Sequence, residues 1–416
     1  MRTEITLNGS TSPAARYVGW APVPAQVRLA DNAGAAGPVT VTLRNQNTTA
    51  GGQVEFYAAI PGTGQAELSL TLPVAGTPVD IFIAGQWQRP STEDGDAAIE
   101  VIESATTQVL GNTPLMVRIR KDAVTLTTAE RDRFRNAFAM FNNHGMGRFS
   151  DFRNVHTEAG DPEAHGFAGF LPWHRAFLLD LERELQLIDP SVALPYWRFD
   201  RPAPSVFSRD FMGVTTQSTG AVQFSVANPF QFWATDGVPG IVRRPLFNTQ
   251  QQPGGLRTET ATLALGTSGD LYFRFRRMEG NPHGSAHLSF TGSISQIPTA
   301  AKDPLFFLLH ANVDRLWAKW QWAKRRFDVS STSTFSTQGD NPPQVGHRLD
   351  DTMWPWNEIT TPPRPPTAPG GTLAPSPLAN APGLRPKVRD MIDYQGVRIP
   401  ASRLGFDYDD VPFQLV

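Results

Sequence analysis

The chain has no cysteine, which excludes a disulfide framework, a thiolate metal site and a cysteine nucleophile together and leaves the redox compartment open. It also lacks a dominant charge. A formal net charge of -2 gives no electrostatic case for nucleic acid or an anionic membrane as partner. No stretch approaches the roughly 18 apolar residues of a membrane span, and the opening residues 1–7 hold no basic segment followed by a long apolar run. The expectation is a soluble chain, cytoplasmic by default, with export on a carrier protein left open. Lysine is scarce, at positions 121, 302, 319, 324 and 387, as GC-rich coding would give.

At 416 residues, 40% of them hydrophobic and 18% charged, the chain is globular and long enough for two domains. From Arg2 to about Ser104, short alternating segments at 26–29, 39–43, 54–57, 66–72, 79–83 and 98–102 are broken by turn signals. That rhythm predicts an all-β sandwich. The stretch holds no histidine, and its acidic run Glu93-Asp94-Gly95-Asp96 reads as a solvated turn. Residues 1–110 are therefore expected to be an accessory domain for packing, binding or assembly, the surface through which a homo-oligomer would form.

After Leu126 the texture changes. Thr127 with Glu130 three residues on makes a capping box, and Phe134, Ala137, Phe138 and Phe141 follow at helical spacing. A second helix is expected over 149–156 and a third from near Pro172, with Phe177, Leu178, Leu181 and Leu185 on one face. The fourth starts at Asp303-Pro304, a cap residue followed by proline, and runs to about Lys324. Four helices with long loops predict a mainly α four-helix bundle over 111–416, whose interior is a natural place for a metal. Residues 360–382, rich in Pro, Gly, Thr and Ala, read as an extended surface segment.

Histidine is rare too, with eight residues at 144, 156, 165, 174, 283, 287, 310 and 347. His283 and His287, in Asn281-Pro282-His283-Gly284-Ser285-Ala286-His287, have the i, i+4 spacing that puts two imidazoles on one helical face. His310 and His174 sit in apolar runs, where an uncoordinated imidazole would need another polar partner. Each alone is more readily a satisfied core histidine. Together they form two triplets, His156, His165 and His174, then His283, His287 and His310, with no carboxylate ligand beside them. Imidazole-only ligation suits copper, zinc or nickel, and copper heads the affinity order and can cycle electrons. His347, in a polar stretch, is expected to be solvated.

The segments Ala164-His165-Gly166-Phe167-Ala168-Gly169-Phe170-Leu171-Pro172-Trp173-His174-Arg175 and Asp303-Pro304-Leu305-Phe306-Phe307-Leu308-Leu309-His310-Ala311-Asn312-Val313-Asp314-Arg315-Leu316-Trp317 resemble the two copper signatures of the tyrosinase, catechol oxidase and hemocyanin family. The resemblance covers roughly residues 126–408 and leaves the strand module outside. It implies two copper ions that bind dioxygen between them, with His165 and His174 as second and third ligands of the first copper. It also implies His283, His287 and His310 as the three ligands of the second. For the first ligand of the first copper, His156 is preferred over His144.

Further positions carry over from the resemblance. Arg175 and Asp314 match a pair that meets across the bundle, Phe306 packs against a ligand, and Glu279 resembles an acid that holds a water near the phenol. Gly284 departs from the asparagine that efficient tyrosinases often carry, which points to catechol oxidation over phenol hydroxylation. Leu309 replaces a second histidine found in many members, and the thioether crosslink of some relatives is excluded without cysteine. Leu404-Gly405-Phe406-Asp407-Tyr408 resembles the aromatic motif that closes the family core, and no C-terminal inhibitory domain is expected after it. The expected activity is that of a copper-dependent oxidoreductase acting on O2 and a small phenolic substrate, a catechol oxidase or tyrosinase, with an ortho-aminophenol oxidase as a narrower variant. The alternative is a hemocyanin-like reversible oxygen-binding protein.

Overall fold

The computed structural model describes residues 1–157, 161–216, 218–246, 256–267, 271–340 and 344–414. The chain forms two compact units. Met1–Ile119, Ser376–Asn380 and Gln395–Val416 make the first, and Arg120–Pro375 with Ala381–Tyr394 the second. No helix among the described residues is long and apolar enough to cross a membrane.

Among the described residues the first unit is built on nine strands: β1 (Arg2–Leu7), β2 (Tyr17–Val18), β3 (Val23–Asp31), β4 (Val39–Asn45), β5 (Val54–Tyr57), β6 (Glu67–Leu72), β7 (Val79–Gly85), β8 (Ala97–Glu103) and β9 (Val109–Val117). They form a four-stranded sheet, β1-β3-β7-β5, and a five-stranded sheet, β2-β9-β8-β4-β6. In β3, Val23, Ala25, Val27 and Leu29 are buried while Pro24, Gln26 and Arg28 face water. That period of two turns one apolar face of each sheet inward. Residues of both sheets, among them Val27, Phe56, Ile83, Leu43, Val101 and Leu115, share a single core.

The C-terminal stretches join this unit, whereas the sequence reading left everything after residue 110 with the helices. The cause is a buried polar anchor. Asp407 accepts from the Trp20 N–H at 2.8 Å, and the Trp20 indole donates to the Tyr408 carbonyl at 2.8 Å. Burial pushes the Asp407 carboxyl up to about 6. Phe406 and Tyr408, expected to close the helical core, therefore lie in the strand unit.

The second unit contains α1 (Thr128–Asn142), α2 (Phe149–Arg153), α3 (Asp161–Ala164), α4 (Phe170–Ile188), α5 (Glu259–Leu263), α6 (Leu271–Phe275), α7 (Ser285–His287) and α8 (Leu305–Lys324). The Thr127 hydroxyl accepts from Glu130 N at 3.2 Å and the Glu130 carboxylate from Thr127 N at 2.9 Å, closing the box that starts α1. At the head of α8 the Asp303 carboxylate accepts from Leu305 N at 3.0 Å and pairs with the buried Arg243 at 2.7 Å. Among the described residues only α1, α4 and α8 exceed five residues. Where the second helix of the bundle was expected, over 149–156, α2 passes after five residues into a 3-10 turn, Asn154–His156, and the backbone is extended at Thr157. A second expectation also changes. Leu373 and Ala374, inside the proline-rich segment, are buried, and Leu373 N donates to the Asp180 carboxylate at 2.8 Å.

Candidate metal centre

Three elements bring the first triplet together. His156 ends the 3-10 turn after α2, His165 follows α3, and His174 lies in the first turns of α4. His174 Nδ1 donates to the Phe170 carbonyl at 2.9 Å, so its proton sits there and Nε2 keeps a lone pair. That Nε2 is buried with no hydrogen-bond partner. His156 Nε2 and His165 Nε2 are 3.3 Å apart. Each triplet offers three ligand atoms within 4.8 Å of one another.

The second triplet is tighter. His283 lies in a π-type turn, Gly280–Gly284, and donates Nδ1–H to the Glu279 carbonyl at 2.8 Å. His287 donates Nδ1–H to the Ile294 carbonyl at 2.7 Å. Both therefore turn bare Nε2 atoms inward, 3.1 Å from each other and 3.3 and 3.1 Å from His310 Nε2. Facing lone pairs at that distance repel, and a shared cation at about 2.0 Å from each nitrogen turns the repulsion into attraction. Burial, reinforced by the neighbouring imidazoles, holds His156, His174, His283 and His310 well below the ordinary histidine range and lowers His287 to about 4. Neutral imidazole is the form that binds a metal. The two triplets touch where His174 stacks on His310, centroids 4.3 Å apart and planes 11° from parallel. His144 lies apart from them, exposed after α1 and stacked on Phe232 at 5.2 Å.

A cavity of about 310 Å³ opens on the pair of triplets, lined by His156, His165, His283 and His287 with Glu279, Gly284, Leu288, Ser295, Ile297 and Ala300. Glu279 accepts from Gly166 N at 2.6 Å, which fixes its carboxylate beside the loop of His165. A Cβ on Gly284 would stand 3.3 Å from the Glu279 carbonyl oxygen.

A family model described as the common central domain of tyrosinase matches residues 146–323. The tyrosinase of Streptomyces antibioticus is 34% identical over 268 residues, covering 58% of this chain and 94% of that protein. This chain belongs to the tyrosinase family. The tyrosinase of Streptomyces glaucescens is also 34% identical over 268 residues, with 58% and 93% covered, and grixazone synthase of Streptomyces griseus is 28% identical over 264 residues, with 50% and 85% covered. Family membership identifies the metal as a pair of copper ions, and the two histidine triads fit one ion each.

Around the triads of this tyrosinase-family site, charge is buried in balance. Arg175 donates from Nε to Asp314 at 2.6 Å and lies over the Trp317 ring at 3.8 Å. Arg120 reaches Asp314 at 3.3 Å and Glu182 at 2.7 Å. Phe306 packs on His310 at 4.1 Å and edge-on to His156 at 4.7 Å. Leu309 is buried beside them. Arg120 and Glu182 escaped the sequence reading, since only the fold reveals that two charges so far apart in the chain meet. His347 was misread. It is fully buried rather than solvated, accepting from Gly169 N at Nδ1 (2.8 Å) and donating from Nε2 to the Pro162 carbonyl (2.9 Å). Polar neighbours in sequence concealed it because its partners lie some 180 residues away.

Proposed function

We propose that the chain is a type 3 dicopper oxidase that converts o-diphenols to o-quinones while O2 is reduced to water, with His156, His165 and His174 holding one copper and His283, His287 and His310 the other. The cavity carries this reading. It leads to four of the six imidazoles and is bounded by Leu288, Ile297 and Ala300, walls that suit an aromatic ring. Bound copper supplies the electron transfer between diphenol and dioxygen; the protein orients the substrate and limits water. Among the described residues Glu279 is the only carboxylate lining the cavity. Held by Gly166 N–H, it is placed to take a hydroxyl proton from a docked diphenol. Gly284 offers no side-chain hydrogen bond to a water beside Glu279, which favours diphenols over monophenols.

The strand unit is an accessory domain in this reading, and the chain works without clipping. A lid would place an aromatic side chain such as Phe56, Tyr57 or Trp87 over the coppers, but each has partners within the strand unit: Phe56 is fully buried in its core, the Tyr57 hydroxyl donates to Glu55 at 3.0 Å, and Trp87 packs edge-on against Trp20 at 5.2 Å. The test is anaerobic copper reconstitution followed by oxygen-uptake assays on a catechol and its monophenol in parallel. Catechol-dependent oxygen consumption by the intact chain is expected, with the monophenol much slower. Reversible oxygen binding without consumption would make the chain an oxygen carrier and refute the proposal.

A further inference from the structure

His174, His283 and His287 are each fixed by an Nδ1–H bond to a carbonyl of their own neighbourhood. His165 is half-buried on the segment between α3 and α4, so the path of that backbone sets where its ring stands. His347 grips the segment at both ends, at Pro162 O and at Gly169 N, with one imidazole ring. The two bonds demand one species: Nδ1 accepts and so carries no proton, while Nε2 donates and so carries one. Burial lowers the His347 pKa and keeps that neutral form. The ring rests against Phe167 at 5.3 Å, and a Cβ at position 169 would fall 2.5 Å from Nδ1, so glycine there leaves room for the clamp. Between the ends, Ala168 N donates to Asp340 at 3.1 Å and Ala168 O accepts from the Tyr272 hydroxyl at 2.5 Å. His347 itself does not line the cavity.

We propose that His347 is a positioning residue for His165, clamping residues 162–169 so that the first triad, and not the second, depends on it for copper retention. This rests on His165 being a ligand. The physical ground is that hydrogen-bonded supports of a metal ligand typically change metal affinity by about 10–100-fold when removed.

Copper release from the loaded protein to increasing chelator, counted as copper per chain, tests it. His165→Ala marks the release step of the first triad and His287→Ala that of the second. His347→Phe fills the space without either hydrogen bond and is expected to move only the first step, by about tenfold or more in chelator concentration. His347→Gln, which retains an acceptor and a donor, should recover a large part of that shift; it also serves if the Phe variant does not fold. Unchanged steps in both variants, an equal shift of both steps, or a Gln variant as weak as Phe would overturn the proposal. If His165→Ala leaves both steps intact, the ligand assignment fails and this inference falls with it.

Discussion

Replacing Asp314 with asparagine tests how the helices bearing the third ligand of each triad are held together. Asp314 lies one turn beyond His310 on α8, and Arg175 follows His174 on α4, so their 2.6 Å contact ties the two ligand positions. Arg120 and Arg175 face Glu182 and Asp314, and all four side chains are at most 4% exposed. The quartet is neutral. Asparagine preserves volume and an oxygen for Arg175 but leaves one positive charge where water cannot screen it. Breaking a buried pair from one side costs about 3–5 kcal/mol. Stacking of Arg175 on Trp317 and Tyr394, at 3.8 and 4.5 Å, offsets roughly 1 kcal/mol of that, leaving about 2–4 kcal/mol. At about 2–4 °C per kcal/mol for a unit of this size, Tm should fall by about 4–16 °C. Calorimetry should use copper-free protein, because bound metal adds its own stabilisation. A companion Arg175→Met variant should be non-additive with Asp314→Asn, since the residues are in contact. A Tm change under about 2 °C, or strict additivity, would refute the reasoning.

Four further outcomes follow from the same structure. His174→Ala or His310→Ala should each lose one copper per chain and all oxidase activity, and full activity would remove that residue from the ligand set. His156→Ala should lose copper while His144→Ala retains it, as metal analysis would show; the reverse result would move the ligand to the exposed histidine. Gly284→Asn should raise monophenol hydroxylation relative to catechol oxidation, provided the Glu279 carbonyl yields by a few tenths of an ångström to the new Cβ; equal changes with both substrates would indicate packing or copper affinity instead. In copper-free protein the buried imidazoles bind protons more weakly than in the unfolded chain, where they titrate near 6.5. The stability they confer is therefore complete above about pH 6.5 and lost progressively on acidification, for His287 as the pH falls to about 4, by up to about 1.4 kcal/mol per pH unit for each group that titrates. Urea midpoints that stay flat between pH 8 and pH 5 would contradict this.

What the sequence determined by itself rests on short-range chemistry. The Thr127 and Glu130 box, the Asp303 cap, the i, i+4 pair His283 and His287, and the alternation of Val23, Ala25, Val27 and Leu29 all act within a turn or a strand, so spacing alone reveals them. The absence of cysteine and carboxylate partners around six histidines likewise narrowed the metal before any fold was known. The tertiary structure decided what depends on groups far apart in the chain. It set His156 rather than His144 beside His165 and His174, because α2 gives way to a 3-10 turn that buries His156 while His144 is left exposed on a left-handed residue. It drew Asp407 and Tyr408 to Trp20, buried the charge quartet of Arg120, Arg175, Glu182 and Asp314, and turned His347 from an apparent surface residue into a two-ended clamp. The physical reason is common to these cases: a buried polar group must find its partner, and that partner is set by the path of the folded chain, which local spacing does not encode.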